Sequence, residues 1–145
     1  MSGFLLDTNI ISRLAPGKPA VEAGFEAWIR EKGVAGNLYL SAMTVAEIER
    51  GVRKLHRAGG VDRARLITLW LDRLLDDFGD RILPMNAVVA RIAGVMEEDA
   101  TRRGHTPGLA DLIIAATARA YDLTLVTDNL KDFEPLDVRM VSRPV

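Results

Sequence analysis

The segment Leu109–Ala118 (LADLIIAATA) constrains the chain more than any other stretch. It is apolar almost all round, and a helix of that kind is buried on several sides. One carboxylate, Asp111, is set near its start. The helix dipole favours an acid in that position. Burying a charge without a partner nevertheless costs several kcal/mol or more. An acid among so many Leu, Ile and Ala residues therefore asks for something positive nearby.

A second apolar run, Phe4–Leu6, ends in Asp7-Thr8-Asn9. A short continuous apolar run is the pattern of a buried parallel strand. Further strands are predicted at Leu38–Leu40, Arg81–Pro84 and Leu123–Val126, with Val138–Val141 at an edge. Between them the periodicity predicts helices over Thr8–Leu14, over Ala20–Lys32 with Gly33 as its stop, from Ser41 to about Arg57, and from an Asp62 cap to Phe78. A further helix is capped by Asn86, with Val88, Val89, Ile92, Val95 and Met96 inward, and another starts with Pro107 in its first turn. Strands alternating with helices imply an α/β fold with a mainly parallel sheet and right-handed crossovers. Residues 1–145 read as a single domain, long enough to bury a core.

Parallel strands place their C-terminal ends on one side, where open α/β sheets bind ligands. Asp7, Glu47, Asp111 and the Asp128-Asn129 pair are expected to meet there. An all-oxygen set selects a hard cation such as Mg²⁺ or Mn²⁺. Such a cation suits phosphodiester hydrolysis. Asp7 and Asp111 then serve as direct ligands, Glu47 as a ligand or water-orienting base, and Asn129 or Asp128 as an outer contact. Thr8, Asn9 and Thr127 are placed to hold water or a phosphate by hydrogen bonds. Each residue also has a purely structural reading. Asp7 suits a helix N-cap. Thr44 and Glu47 have capping-box spacing. Thr127-Asp128-Asn129 suits a turn. Arg50 and Arg53 are either phosphate contacts or part of a solvated helix face.

The composition narrows the function classes. With no cysteine, the chain has no disulfide scaffold, thiolate zinc site or cysteine nucleophile. A net charge of -1 means that a nucleic-acid partner must be held by local basic patches. No basic segment leads into a long apolar run, and no apolar stretch spans a bilayer, so a cytoplasmic protein without a membrane partner is expected. The hairpin Thr44–Phe78 carries more apolar surface than one small core covers, which predicts self-association or a partner there.

These residues resemble the PIN-domain ribonucleases, and within them the VapC-type toxins of bacterial toxin–antitoxin pairs. The likeness runs in order through LLDTNIIS (Leu5–Ser12), LSAMTVAEIERGV (Leu40–Val52), RILP (Arg81–Pro84), LADLIIAATARAYDLTLVTDN (Leu109–Asn129) and DF (Asp132-Phe133). The resemblance implies a three-layer α/β/α PIN-like domain with a four- to five-stranded sheet. It also implies Mg²⁺- or Mn²⁺-dependent RNA cleavage, a homodimer, and a VapB-like antitoxin that blocks the toxin in a larger complex. Several members of that family carry a fourth acid directly after a Thr-X pair. Here Asn129 stands at that position and Asp128 one place earlier, so either one completes the set.

Overall fold

A computed structural model describes residues 3–145. Five parallel strands form one sheet in the order β3-β2-β1-β4-β5. They are β1 (Phe4–Leu6), β2 (Leu38–Ser41), β3 (Ile82–Leu83), β4 (Thr124–Val126) and β5 (Met140–Val141). The helices are α1 (Thr8–Ile11), α2 (Ala23–Val34), α3 (Ala42–Arg57), α4 (Val61–Phe78), α5 (Ala87–Arg102), α6 (Leu109–Ala120) and α7 (Leu130–Phe133). In the central strand β1, Leu5 pairs with Tyr39 on one side and Leu125 on the other.

Successive strand residues point to opposite faces, and each face has its own core. Leu5 and Leu125 pack with Val89 and Met96 of α5, Ile114 of α6 and Phe133. Leu6 and Val126, one residue further on, pack with Ile10, Phe25 of α2, Ile48 of α3, and Leu71 and Leu74 of α4. The result is the three-layer α/β/α arrangement. From Leu112 to Ala118 every residue of α6 is buried, as its all-round apolarity requires. Among the described residues no helix is long and apolar enough to cross a membrane.

Several local predictions need correction. Thr44 does not cap α3. Strand β2 runs straight into the helix, so the cap falls on Ser41, whose Oγ accepts from Met43 N at 3.0 Å. Thr44 is the third residue of the helix, and no capping box forms with Glu47. Gly60, not Asp62, occupies the N-cap of α4, and Asp62 sits in the first turn. Helix α2 begins at Ala23 and passes Gly33; the chain turns at Gly36, where φ is +72°. Pro107 precedes α6, whose N-cap is Gly108. On α5, Val89, Ala93, Met96 and Ala100 face inward, whereas Val88 and Val95 are 60% and 58% exposed. The apolar face of that helix is wider than the sheet can cover. The cap at Asn86 is as expected, with its Oδ1 accepting from Val89 N at 3.0 Å.

Candidate metal-binding acidic cleft

The strand order reverses direction between β1 and β4: the chain goes outward through β2 and β3 on one side and through β5 on the other. A crevice forms at such a switch point, outside the C-terminal ends of the strands. Asp7 follows β1 and Thr127 follows β4. The Asp7 N–H donates to Val126 O at 2.9 Å, which continues the β1–β4 ladder past the last strand residue. Thr127 Oγ1 donates to Asp7 Oδ2 at 2.7 Å. Asp7 Oδ1 accepts from Thr8 N at 2.8 Å and so caps α1. The cap and the candidate ligand are therefore the same carboxylate, since each oxygen takes one donor and keeps further acceptor capacity.

Glu47 arrives from the second turn of α3. Thr8 Oγ1 donates to its Oε1 at 2.6 Å and lies 2.9 Å from Thr44 Oγ1. Thr8 thus bridges the α1 turn to α3 and aims Glu47 toward Asp7. Asp111 comes from the first turn of α6 and is half-buried.

The electrostatics show that these acids share one space. Burial raises the pKa of Asp111 to about 6, and the charges of Asp7, Asp132 and Glu47 add to that rise. Burial also raises Asp7, helped by the charges of Glu47 and Asp128 and opposed by its hydrogen bonds from Thr127 and Thr8. Like charges within a low-dielectric crevice favour protonation unless a cation relieves them.

Asp132, on α7, is an acid that local sequence pattern does not assign to the cleft. Its charge reaches Asp111 because the short turn Leu130–Phe133 brings it back over the cleft, anchored by the buried Phe133. A signal was present in the Asp132-Phe133 dipeptide, where an acid precedes an apolar anchor. Asp128 is turned toward Arg13 Nε at 2.7 Å and Arg143 Nε at 3.2 Å. Asn129 donates its backbone N–H to Thr127 Oγ1 at 3.0 Å. Asn9 Oδ1 accepts from Asp128 N at 3.4 Å, which ties the two strand-end turns together. Arg50 and Arg53 lie on the exposed side of α3, with Arg53 paired to Glu49 at 2.9 Å. The groove beside Glu47 is walled instead by Thr8, Gly51, Arg63 and Trp70.

The donor set fits a hard cation. It consists of carboxylates, hydroxyls and an amide, with no sulfur or imidazole. Among the described residues the acids do not close into a ready-made three-ligand cage. An open ring of this kind suits Mg²⁺, which keeps several waters and takes few carboxylates.

The PIN-domain family profile matches residues 4–137. The chain belongs to the PIN-domain family. Within that family, the chain is 36% identical to Toxin FitB of Neisseria gonorrhoeae over 93% of its own length and 94% of the relative's. It is 30% identical to the VapC ribonuclease Y4jK of Sinorhizobium fredii, over 96% of both chains. A solved structure of FitAB bound to an IR36 DNA fragment superposes on this PIN domain with a TM-score of 0.80 at 34% identity, covering 97% of this chain and 94% of that one. The VapC-type likeness thus extends across almost all of this PIN domain.

Proposed function

We propose that this PIN domain is a metal-dependent endoribonuclease acting as the toxin of a toxin–antitoxin pair, and that residues 1–145 form one such unit. The observation that carries the reading is the convergence of Asp7, Glu47, Asp111 and Asp132 at the switch point, with Asp111 raised to about 6 by burial and by its acidic neighbours. The likeness to a VapC ribonuclease and to Toxin FitB supports the substrate class and the biological role.

In this reading Asp7 and Asp111 hold Mg²⁺ or Mn²⁺, with Asp132 as the acid that completes the ring. When bound, the cation supplies a Lewis acid for a phosphate oxygen and makes bound water more acidic. The protein does the rest. Thr127 and the Thr8 N–H fix the Asp7 carboxylate through one donor on each oxygen. Thr8 holds Glu47 at the cleft edge, where its carboxylate can take the proton of the attacking water. As the water oxygen bonds to phosphorus, the bond from phosphorus to the leaving ribose oxygen breaks. Asn9 and Asn129 flank the cleft with side-chain amides able to hold water or substrate.

The same likeness supports a homodimer and a VapB-like protein antitoxin, in keeping with the match to the FitAB structure. A trough beside Glu47, walled by Ile48, Val52, Leu55, Ile67 and Trp70, runs from the acids along α3 and α4. An apolar antitoxin segment lying in it would cover the cleft. An RNA substrate is in keeping with work in the cytoplasm.

The experiment is cleavage of total cellular RNA by the purified, antitoxin-free chain with Mg²⁺ or Mn²⁺, beside Asp7→Asn. Cleavage that needs the metal and disappears in the variant is expected. Equal cleavage by both proteins, or none together with no metal binding by calorimetry, rejects the reading.

A further inference from the structure

A cavity of about 550 Å³ borders the acidic cleft, sharing Asn9 and Asn129 with its rim and walled by Arg13, Lys18, Glu22 and Asp128. Its two acids are already neutralised. Asp128 accepts Arg13 Nε on one oxygen and Arg143 Nε on the other. Glu22 pairs with Arg143 Nη1. The Arg143 side chain is 13% exposed and lies over the Phe25 ring, 5.5 Å from its centroid, so it serves as a structural cation.

Arg13 is different. Its side chain is 42% exposed and bonded through Nε, and neither Nη group donates to any described residue. Lys18 is exposed and pairs with no acid among the described residues. With Arg143 counted, three cations stand against two acids, so the cavity is net positive by one charge and borders a net negative cleft. A polyanion drawn over the acids needs such a counter-surface, because the acids alone repel phosphate. A guanidinium pinned at Nε, with both Nη groups open, has the fork needed for a bidentate phosphate contact. The Asn9 and Asn129 amides offer donors and acceptors to a base edge or ribose hydroxyl between the two phosphates.

We propose that Arg13, held by Asp128, binds the RNA phosphate next to the scissile one, and that the cavity seats the nucleotide between them. This inference rests on the nuclease reading above. Arg13 touches substrate, Lys18 adds a second cation at the outer end, and Asp128 is a positioning residue. Asp128 thereby acquires a task different from the outer metal contact expected of it, and its turn toward two arginines is explained.

The test compares the parent chain with Arg13→Gln, Arg13→Lys and Asp128→Asn. Steady-state cleavage of total cellular RNA is followed with Mg²⁺ over a series of KCl concentrations. Anisotropy of a labelled single-stranded RNA oligonucleotide in chelator reports binding without cleavage. Arg13→Gln is expected to raise KM by about tenfold with kcat within about twofold, the size of one charge-assisted contact. The slope of log(kcat/KM) against log[KCl] becomes shallower by about 0.7, the signature of one lost phosphate contact to a single strand. Binding in chelator weakens in step, and the melting temperature stays at the parent value. Arg13→Lys recovers part of the KM, and Asp128→Asn raises KM by less than Arg13→Gln. If the parent cleaves RNA while Arg13→Gln keeps the parent's KM and salt slope, this inference is wrong and the nuclease reading stands. If the parent neither cleaves nor binds RNA, both fall.

Discussion

Asp111→Asn is expected to make the metal-free protein more stable and the metal-loaded protein less so. The Asp111 carboxyl titrates near 6 in the fold, against an ordinary 3.8, through burial first and then through Asp7, Asp132 and Glu47. For an acid raised in this way, the folded state binds more protons than the unfolded state between those values, so stability falls as pH rises through that window. The penalty is absent below about pH 4 and complete above about pH 7. A shift of that size corresponds to about 3 kcal/mol on paper. Asp111 is partly solvated, and screening reduces this to on the order of 1 kcal/mol. Asn keeps the shape and removes the charge. In chelator at about pH 7.5 the variant should melt about 3–4 °C above the parent, a gain that disappears near pH 4. With Mg²⁺ the order should reverse, because binding at about a hundred times Kd stabilises the parent by about 2.7 kcal/mol and the variant loses a ligand. Thermal melts at three pH values, with chelator and with Mg²⁺, decide the matter. A variant less stable than the parent in chelator, or a difference that ignores pH, would refute the claim that Asp111 ionises against other acids.

Three further changes probe other parts of the argument. Thr127→Val removes the hydroxyl that donates to Asp7 Oδ2, so Asp7 should rise further in pKa, Mn²⁺ affinity by calorimetry should drop, and stability should fall by about 1–2 kcal/mol; unchanged affinity would show that Thr127 does not orient the ligand. Ser41→Ala deletes the α3 cap and should cost about 1 kcal/mol in urea unfolding; an unfolding free energy equal to the parent's would show that the Ser41 hydroxyl does not cap the helix. Leu69→Glu, at a position 58% exposed on α4, should leave the monomer's unfolding midpoint within about 0.5 kcal/mol of the parent and lower the assembled mass in light scattering; an unchanged mass, alone and with antitoxin, would remove this face from the assembly.

The local pattern was enough for some of the architecture and for half of the cleft. Leu5-Leu6 and Leu125-Val126 are continuous apolar pairs, and a strand buried on both faces is what such pairs require; the two cores use one residue of each pair. Asp7 and Asp111 are legible because each interrupts an apolar run, although an N-cap or the helix dipole accounts for either one taken alone. Glu47 was less clear, since the capping-box spacing with Thr44 was real in sequence but depended on where β2 stopped. With the strand running to Ser41, the cap moved three residues back and Glu47 was left to the cleft. Val88 and Val95 show the limit of helical periodicity. It says that a face is apolar, not that a neighbour exists to cover it.

What the sequence alone determined about this PIN domain is its alternation of strand and helix, the buried character of α6, and the places where acids interrupt apolar runs. These follow from short-range spacing and from the cost of burying charge, and both can be read along the chain. What only the tertiary structure decided is which polar groups share the cleft. Asp128, Asn129 and Asp132 lie within five residues of one another, yet Asp132 bears on Asp111 while Asp128 is held by Arg13 and Arg143, which lie on opposite sides of it in sequence. Such partners are chosen by the register of β1 against β4 and by the turn of α7, long-range geometry that no local pattern encodes.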